Sequence, residues 1–272
     1  MTIWLWYGLL GSGVGLLAGL LGVGGGTVIV PTLMILFAAL HFAPGTIQHM
    51  ALGTSLATIL FTSISSFWAH HQRKSVDWPT VRKISPGIVI GTLAGAWVAA
   101  RISTLLLQWI FVVFLFYVIR QMLSQRPPHP SRPLPGPTGM TAVGGLIGGL
   151  SSLVGIGGGS LMLPFLVWCN MTMRQAIGTS AAVGFFIAAA GTAGYMVSGT
   201  GVPMRPALSI GYVHLPAVAG IAVTSMLTAP LGAWLSHKLP VPTLKKSFAV
   251  LLMFVNIKLL SALLGTVCGT LR

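Results

Sequence analysis

The sequence predicts an all-α polytopic membrane protein made of two inverted-topology repeats. Each repeat is expected to hold a glycine-broken re-entrant helical hairpin followed by three transmembrane helices. Three observations carry that reading. First, 54% of the 272 residues are hydrophobic and only 6% are charged, a composition suited to lipid as solvent. Second, three landmarks recur in the same order: GVGGGTVIVP (Gly22–Pro31) and GIGGGSLMLP (Gly155–Pro164), ALGTS (Ala51–Ser55) and AIGTS (Ala176–Ser180), and GAW at Gly95–Trp97 and Gly232–Trp234. A motif set written twice is one unit present twice. Third, three consecutive glycines interrupt an apolar run at matching places in the two halves, which in repeat-built carriers points to the binding site.

The elements follow in order. The N-terminal repeat, 1–123, reads as apolar segments Trp4–Leu21, Thr27–Leu40, Met50–Ala69, Ile84–Ala100 and Leu105–Leu123. Trp4, Trp6 and Tyr7 open the first as interfacial anchors, without the basic stretch of a cleavable signal. A proline-rich linker, 124–138, contains RPPHPSRPLPGP and reads as an extended, solvated spacer. The C-terminal repeat, 139–272, reads as Gly139–Val154, Ser160–Trp168, Ala176–Val197, Val213–Leu235 and Leu244–Leu264. Cys169 and Cys268 fall at ends assigned to opposite faces and are expected to stay free.

Segment Ser160–Trp168 is far shorter than the roughly 20 residues a span requires. Segments one and two of each half therefore form either a V that enters and leaves by one face, or one broken span. A V leaves three crossings per half and inverts the halves; a broken span makes four and keeps them parallel. Charge favours the V. With the Arg73–Lys83 loop in the cytoplasm, the inverted model also puts Arg120, Arg126, Arg132, Arg174, Lys238, Lys245 and Lys246 there, leaving Arg101, Arg205, Lys258 and Arg272 outside. The linker is then cytoplasmic and both termini are external. Two full spans in place of each V keep the same parity, and only the shortness of Ser160–Trp168 argues against them.

The candidate chemistry lies at the breaks. Gly24, Gly25 and Gly26, and Gly157, Gly158 and Gly159, can reverse the chain at mid-membrane, where irregular backbone must face protein or a water-filled cavity. Thr27 and Ser160 follow as N-cap candidates. Each half-helix N-terminus behaves as roughly half a positive charge, so two facing ones suit a small anion without a buried Lys or Arg. Thr54, Ser55, Thr179 and Ser180 are the second set, able to supply hydroxyls to an oxyanion or to bond within and between helices. Gly15–Gly19 and Gly91–Gly95 stand at helix-packing spacing. Pro31 and Pro164 are expected to kink or shorten the half-helices. His49 and Arg174 precede the two AxGTS copies as interfacial anchors or anion attractors.

Absences exclude classes of function. The chain has one acid, Asp77, against fifteen Lys and Arg. No intramembrane carboxylate is available to couple a cation, and no nucleophile–base set supports an enzyme. The net charge of +14 lies at segment ends and implies no nucleic-acid partner. Neither a metal site nor a cofactor is expected, since no His pair has ligand spacing. Asn256 is a buried polar candidate in the last segment. The partners are a small anion and the bilayer, with homo-oligomerisation left open.

The doubled GLLGVGGG-like motif followed by GTS resembles the TauE/SafE family of sulfite-exporter-like permeases, from about Gly8 to Leu264. Ser151–Ser152 replace Ala18–Gly19 in the second copy. The resemblance implies an inner-membrane permease for sulfite, sulfoacetate or related organosulfonates, moved by alternating access. An anion-selective channel or a permease for another small anion is the alternative.

Overall fold

The computed structural model describes residues 2–21, 25–124, 132–202, 206–236 and 241–270. Gly24, residues 125–131 of the proline-rich linker, Arg205, Lys238 and Arg272 lie outside them. All ten apolar segments are helices: α1 (Thr2–Leu21), α2 (Gly26–Ala39), α3 (Ile47–Gln72), α4 (Trp78–Ala99), α5 (Thr104–Leu123), α6 (Pro137–Val154), α7 (Gly159–Trp168), α8 (Met173–Ser198), α9 (Leu215–Ser236) and α10 (Val241–Thr270). Four described stretches are long and apolar enough to cross a membrane: Ile47–Gln72, Thr104–Leu123, Met173–Ser198 and Lys246–Gly265. Large apolar side chains such as Leu9, Ile90, Val113, Leu146, Val197 and Leu227 face outward, as lipid-facing residues of a multi-pass membrane protein do.

Several boundaries differ from the expectation, each for a local reason. Helix α4 starts six residues before Ile84. Asp77 caps it, accepting from the Thr80 N–H at 3.2 Å, and Pro79 sits in its first turn. Arg82 and Lys83 belong to this helix and are exposed. Val213, expected in a helix, is instead in β2 (Val213–His214), which pairs antiparallel with β1 (Ser209–Ile210). Thr27 and Ser160 are not caps. The N-cap positions are Gly25 and Gly158, neither with a side-chain bond, and the hydroxyl residues lie inside the first turn. Pro31 and Pro164 sit within α2 and α7, and both helices continue through them.

The packing repeats when α1–α5 are exchanged with α6–α10. Helix α1 packs on α9 and α6 on α4; α2 on α3 and α7 on α8; α3 on α9 and α8 on α4; α3 meets α8 and α5 meets α10. Small residues make the seams. A Cβ on Gly91 would strike the Gly145 carbonyl, and one on Gly95 would come within 2.7 Å of Gly149 O. On the other seam a Cβ on Gly11 would lie 2.6 Å from Ile221 O, and one on Gly15 would meet Ser225 O. Backbone proximity of this kind drives helix association where apolar burial gives no advantage.

The short helices return toward the chain that precedes them. The Arg132 N–H donates to Trp168 O at 3.4 Å, and Asn170 donates to Arg132 O at 3.2 Å. Arg132 stands five residues before α6 begins, and five residues reach at most about 18 Å. Collinear α6 and α7 would put those ends about 42 Å apart, so α7 folds back. In the other half, Tyr7 of α1 and Phe37 of α2 both flank the His214 ring, with centroids at 6.2 and 5.7 Å.

Candidate functional site

The two glycine breaks meet. A Cβ on Gly26, the first residue of α2, would lie 3.0 Å from both Gly155 O and Ile156 Cα. Gly155 ends α6 with φ +69°, a left-handed conformation suited to glycine. Ile59 of α3 is wedged against both breaks: its Cδ1 lies 2.9 Å from a Cβ built on Gly26, and its Cγ2 3.3 Å from one on Gly157. On the other side Gly158 rests on α8, with Gly184 N and Ser180 O each 3.4 Å from its built Cβ. The second site triplet, Gly157–Gly159, is thus enclosed by α3 and α8. Of the first triplet, Gly25 and Gly26 are placed here and Gly24 lies outside the described residues.

Polar groups without partners gather at these starts. The first α-helical bonds are Ile29 N–H to Gly25 O at 3.0 Å and Met162 N–H to Gly158 O at 2.8 Å. The N–H groups of Gly26, Thr27, Gly159, Ser160 and Leu161 precede them and are the free donors of a helix N-terminus. Pro31 and Pro164 have no N–H, so the carbonyls of Thr27 and Ser160, four residues earlier, lose their helical donor. Ser160 is 4% exposed and Ser180 2% exposed, and neither hydroxyl has a hydrogen-bond partner. Thr27 is buried. Every Lys and Arg whose side chain is described is exposed, so none of the described ones supplies charge at the breaks.

The threonines of the AxGTS copies bond across to other elements, one of the two roles expected of them. Gly53 lies under the chain before α9, with Tyr212 O 2.7 Å from its built Cβ. Thr54 Oγ1 accepts from the His214 N–H in that same chain at 3.0 Å. Across the molecule, Gly178 lies under Ser75, whose carbonyl carbon is 2.7 Å from a Cβ placed there. Thr179 Oγ1 accepts from the Asp77 N–H at 3.0 Å. Each Gly-Thr pair is therefore a socket for the segment preceding the fourth helix of the other half. The following serines point to the breaks: Ser55 donates to Gly155 O at 2.8 Å. Gly22, which corresponds to Gly155 in sequence, lies outside the described residues.

The sockets also fix how α3 and α8 run. His214 follows the end of α8 and binds the start of α3; Asp77 follows the end of α3 and binds the start of α8. Arg174, at the start of α8, donates to Arg73 O beyond the end of α3 at 3.1 Å. The two helices are antiparallel, so the sockets lie toward opposite ends of the pair.

The His214 side is lined with rings. The imidazole lies among Tyr7, Phe37 and Phe42, at 6.2, 5.7 and 5.3 Å, and its Nδ1 is 3.0 Å from Ser209 Oγ. Burial pushes its pKa down to about 4 and raises that of the Tyr212 phenol. His49 is not an interfacial anchor. It is buried, stacks on Tyr212 at 5.0 Å and donates through Nε2 to Ala99 O at 2.9 Å. Arg174 is exposed, as expected. Sequence reasoning missed Gln48, which is fully buried with both amide atoms unpaired. It also missed the partners of the sockets, which no local pattern marks.

Comparison with known proteins agrees with this architecture. The family model described as "Sulfite exporter TauE/SafE" matches residues 7–259. A probable membrane transporter protein of Haemophilus influenzae is 40% identical over 252 residues, covering 92% of this chain and 96% of its own. The probable membrane transporter protein YunE of Bacillus subtilis is 25% identical over 272 residues, covering 93% and 95%. A probable membrane transporter protein of Methanocaldococcus jannaschii is 28% identical over 235 residues, 85% of each chain. No solved structure matches. The chain belongs to the sulfite exporter TauE/SafE family of membrane transporters.

Proposed function

We propose that this protein moves small sulfur oxyanions, sulfite or organosulfonates, across the inner membrane by alternating access at the paired glycine breaks. The observation that carries the reading is the meeting of Gly26 with Gly155–Ile156 beside buried hydroxyls that have no partner. The N–H groups of Gly26, Thr27, Gly159 and Ser160, with the hydroxyls of Ser160 and Ser180, form the shell, and Ser55 holds Gly155 beside it. Gly25 packs on Val14 and Gly158 on Ile187, while Gly157, with only Ile59 near its built Cβ, is the least crowded of the three. Repeats 1–123 and 139–272 are inverted, the linker is cytoplasmic, and both termini are external. The antiparallel α3 and α8 and the returning short helices support this arrangement.

The sockets are the gates. Gly53–Thr54 holds the external side shut through Tyr212–His214, and Gly178–Thr179 holds the cytoplasmic side shut through Ser75–Asp77. Releasing one while the other holds exposes the shell to one face at a time. The test is flux of sulfite and methanesulfonate into proteoliposomes. Gly158→Leu, whose side chain meets Ile187 and the α8 backbone, should abolish flux, and Gly13→Leu, at an open position, should not. Undiminished flux in a folded Gly158→Leu protein overturns the site. Flux linear in concentration, without saturation or exchange, replaces the carrier with a channel.

A further inference from the structure

We infer that the site at the glycine breaks admits oxyanions carrying a single negative charge and rejects the same head group as a dianion. This rests on the anion-site reading above and specifies which chemical form that site takes. Three observations carry it.

The first is the supply of positive charge. Two half-helix starts contribute roughly one unit together. No described Lys or Arg side chain is buried, and no His, Asp or Glu is among the residues that meet the breaks. A monoanion is balanced there. A dianion keeps about one charge uncompensated in a medium of low polarity, where such a charge is strongly disfavoured.

The second is the pair of unsatisfied hydroxyls. Ser160 Oγ lies in the first turn of α7, and Ser180 belongs to the α8 turn whose carbonyl touches Gly158. Buried hydroxyls without partners are uncommon in folded proteins, and these two stand beside the free N–H groups of a helix start, where a polar ligand would complete their bonding. They add donors without adding net charge.

The third is the pair of carbonyls freed by Pro31 and Pro164. These acceptors sit one turn into each half-helix and oppose any excess of negative charge. Organosulfonates without a second acidic group, such as methanesulfonate, are monoanions at all ordinary pH and fit this balance; sulfoacetate, with a carboxylate as well, presents a singly charged sulfonate end. Of the sulfite system the singly charged hydrogen sulfite form fits, and sulfate does not.

Methanesulfonate and sulfate share a tetrahedral shape and differ in charge, so their comparison isolates it. Titration calorimetry of each into the detergent-purified full chain at neutral pH should show methanesulfonate favoured by at least about 100-fold. Sulfite affinity, measured across neutrality, should fall as pH rises and the dianion replaces hydrogen sulfite. Ser160→Ala should weaken methanesulfonate about tenfold while the ligand-free melting temperature stays or rises, since the hydroxyl has no partner to lose. Equal affinity for the two anions overturns the charge selection and leaves the anion site standing. Binding of neither overturns the anion site and the selection with it. Sulfonate binding that Ser160→Ala leaves unchanged moves the ligand away from the breaks and overturns this inference.

Discussion

Thr54→Val and Thr179→Val should shift the exposure of the site in opposite directions. Valine keeps the shape of threonine and removes the oxygen that accepts the His214 N–H in one socket or the Asp77 N–H in the other, both at 3.0 Å. The abandoned N–H loses its partner when the segment is docked and recovers water when it lifts. The change therefore falls on the closed state, at about 1–3 kcal/mol, or roughly a 5- to 150-fold shift in the equilibrium. The sockets share no residue, so the double variant should weaken both closed states alike and return the ratio toward wild type. The reporter is Ser160→Cys, nearly isosteric and 4% exposed, with Cys169→Ala and Cys268→Ser removing the native thiols. A membrane-impermeant maleimide is applied to each face in turn. Thr54→Val should speed labelling from the His214 face and slow it from the other; Thr179→Val should do the reverse. Two single variants that open the same face, or that change nothing while remaining folded, refute the assignment of the sockets as gates.

Four other outcomes follow from the same coordinates. Gly91→Ala forces α4 from the Gly145 backbone and should cost about 1–3 kcal/mol, lowering the melting temperature by several degrees. Gly13→Ala, with nothing within 4 Å, should hold or raise it. The pKa of His214 is depressed from 6.5 to about 4 when folded, so the neutral ring is favoured and the unfolded chain binds more protons between those values. Stability should then fall as pH drops from 6.5 to 4, by up to about 3 kcal/mol, flatten below, and lose this dependence in His214→Phe, as read by melting temperature against pH. Asp77→Asn keeps a capping residue of equal rank, so flux should persist; a folded Asp77→Asn protein without flux would mean that the one acid couples transport. Asn256→Leu removes a buried amide with neither atom paired and should stabilise the protein by about 1–3 kcal/mol without changing flux. Loss of flux there would place Asn256 on the substrate path.

The helices were legible because their signals are local. Apolar runs and the glycine spacing of α4 each act within a few residues, whereas the Asp77 cap that starts α4 six residues before Ile84 went unread. The strand Val213–His214 was absorbed into a predicted helix because it adjoins the apolar run of α9, and only the Ser209–His214 and Ile210–Val213 pairings reveal strands. The caps were misread for a related reason. Thr27 and Ser160 have the right side chains, but glycine at the preceding position permits the sharp break itself, and the helix starts there.

The twice-written AxGTS motif shows where reading a sequence alone stops. Its repetition marked it as functional, and its hydroxyls suggested a ligand shell. The structure divides the three letters. Glycine admits the backbone of the opposite half, threonine accepts the next N–H of that segment, and serine turns to the glycine break. None of these partners lies within 70 residues in the first half, since Thr54 meets His214 and Ser55 meets Gly155. A residue pattern records which chemistry is present, whereas the partner is chosen by topology, and here the topology exchanges the halves. The same exchange sets the motif twice, once toward each end of the antiparallel α3–α8 pair, each copy holding a segment of the other half.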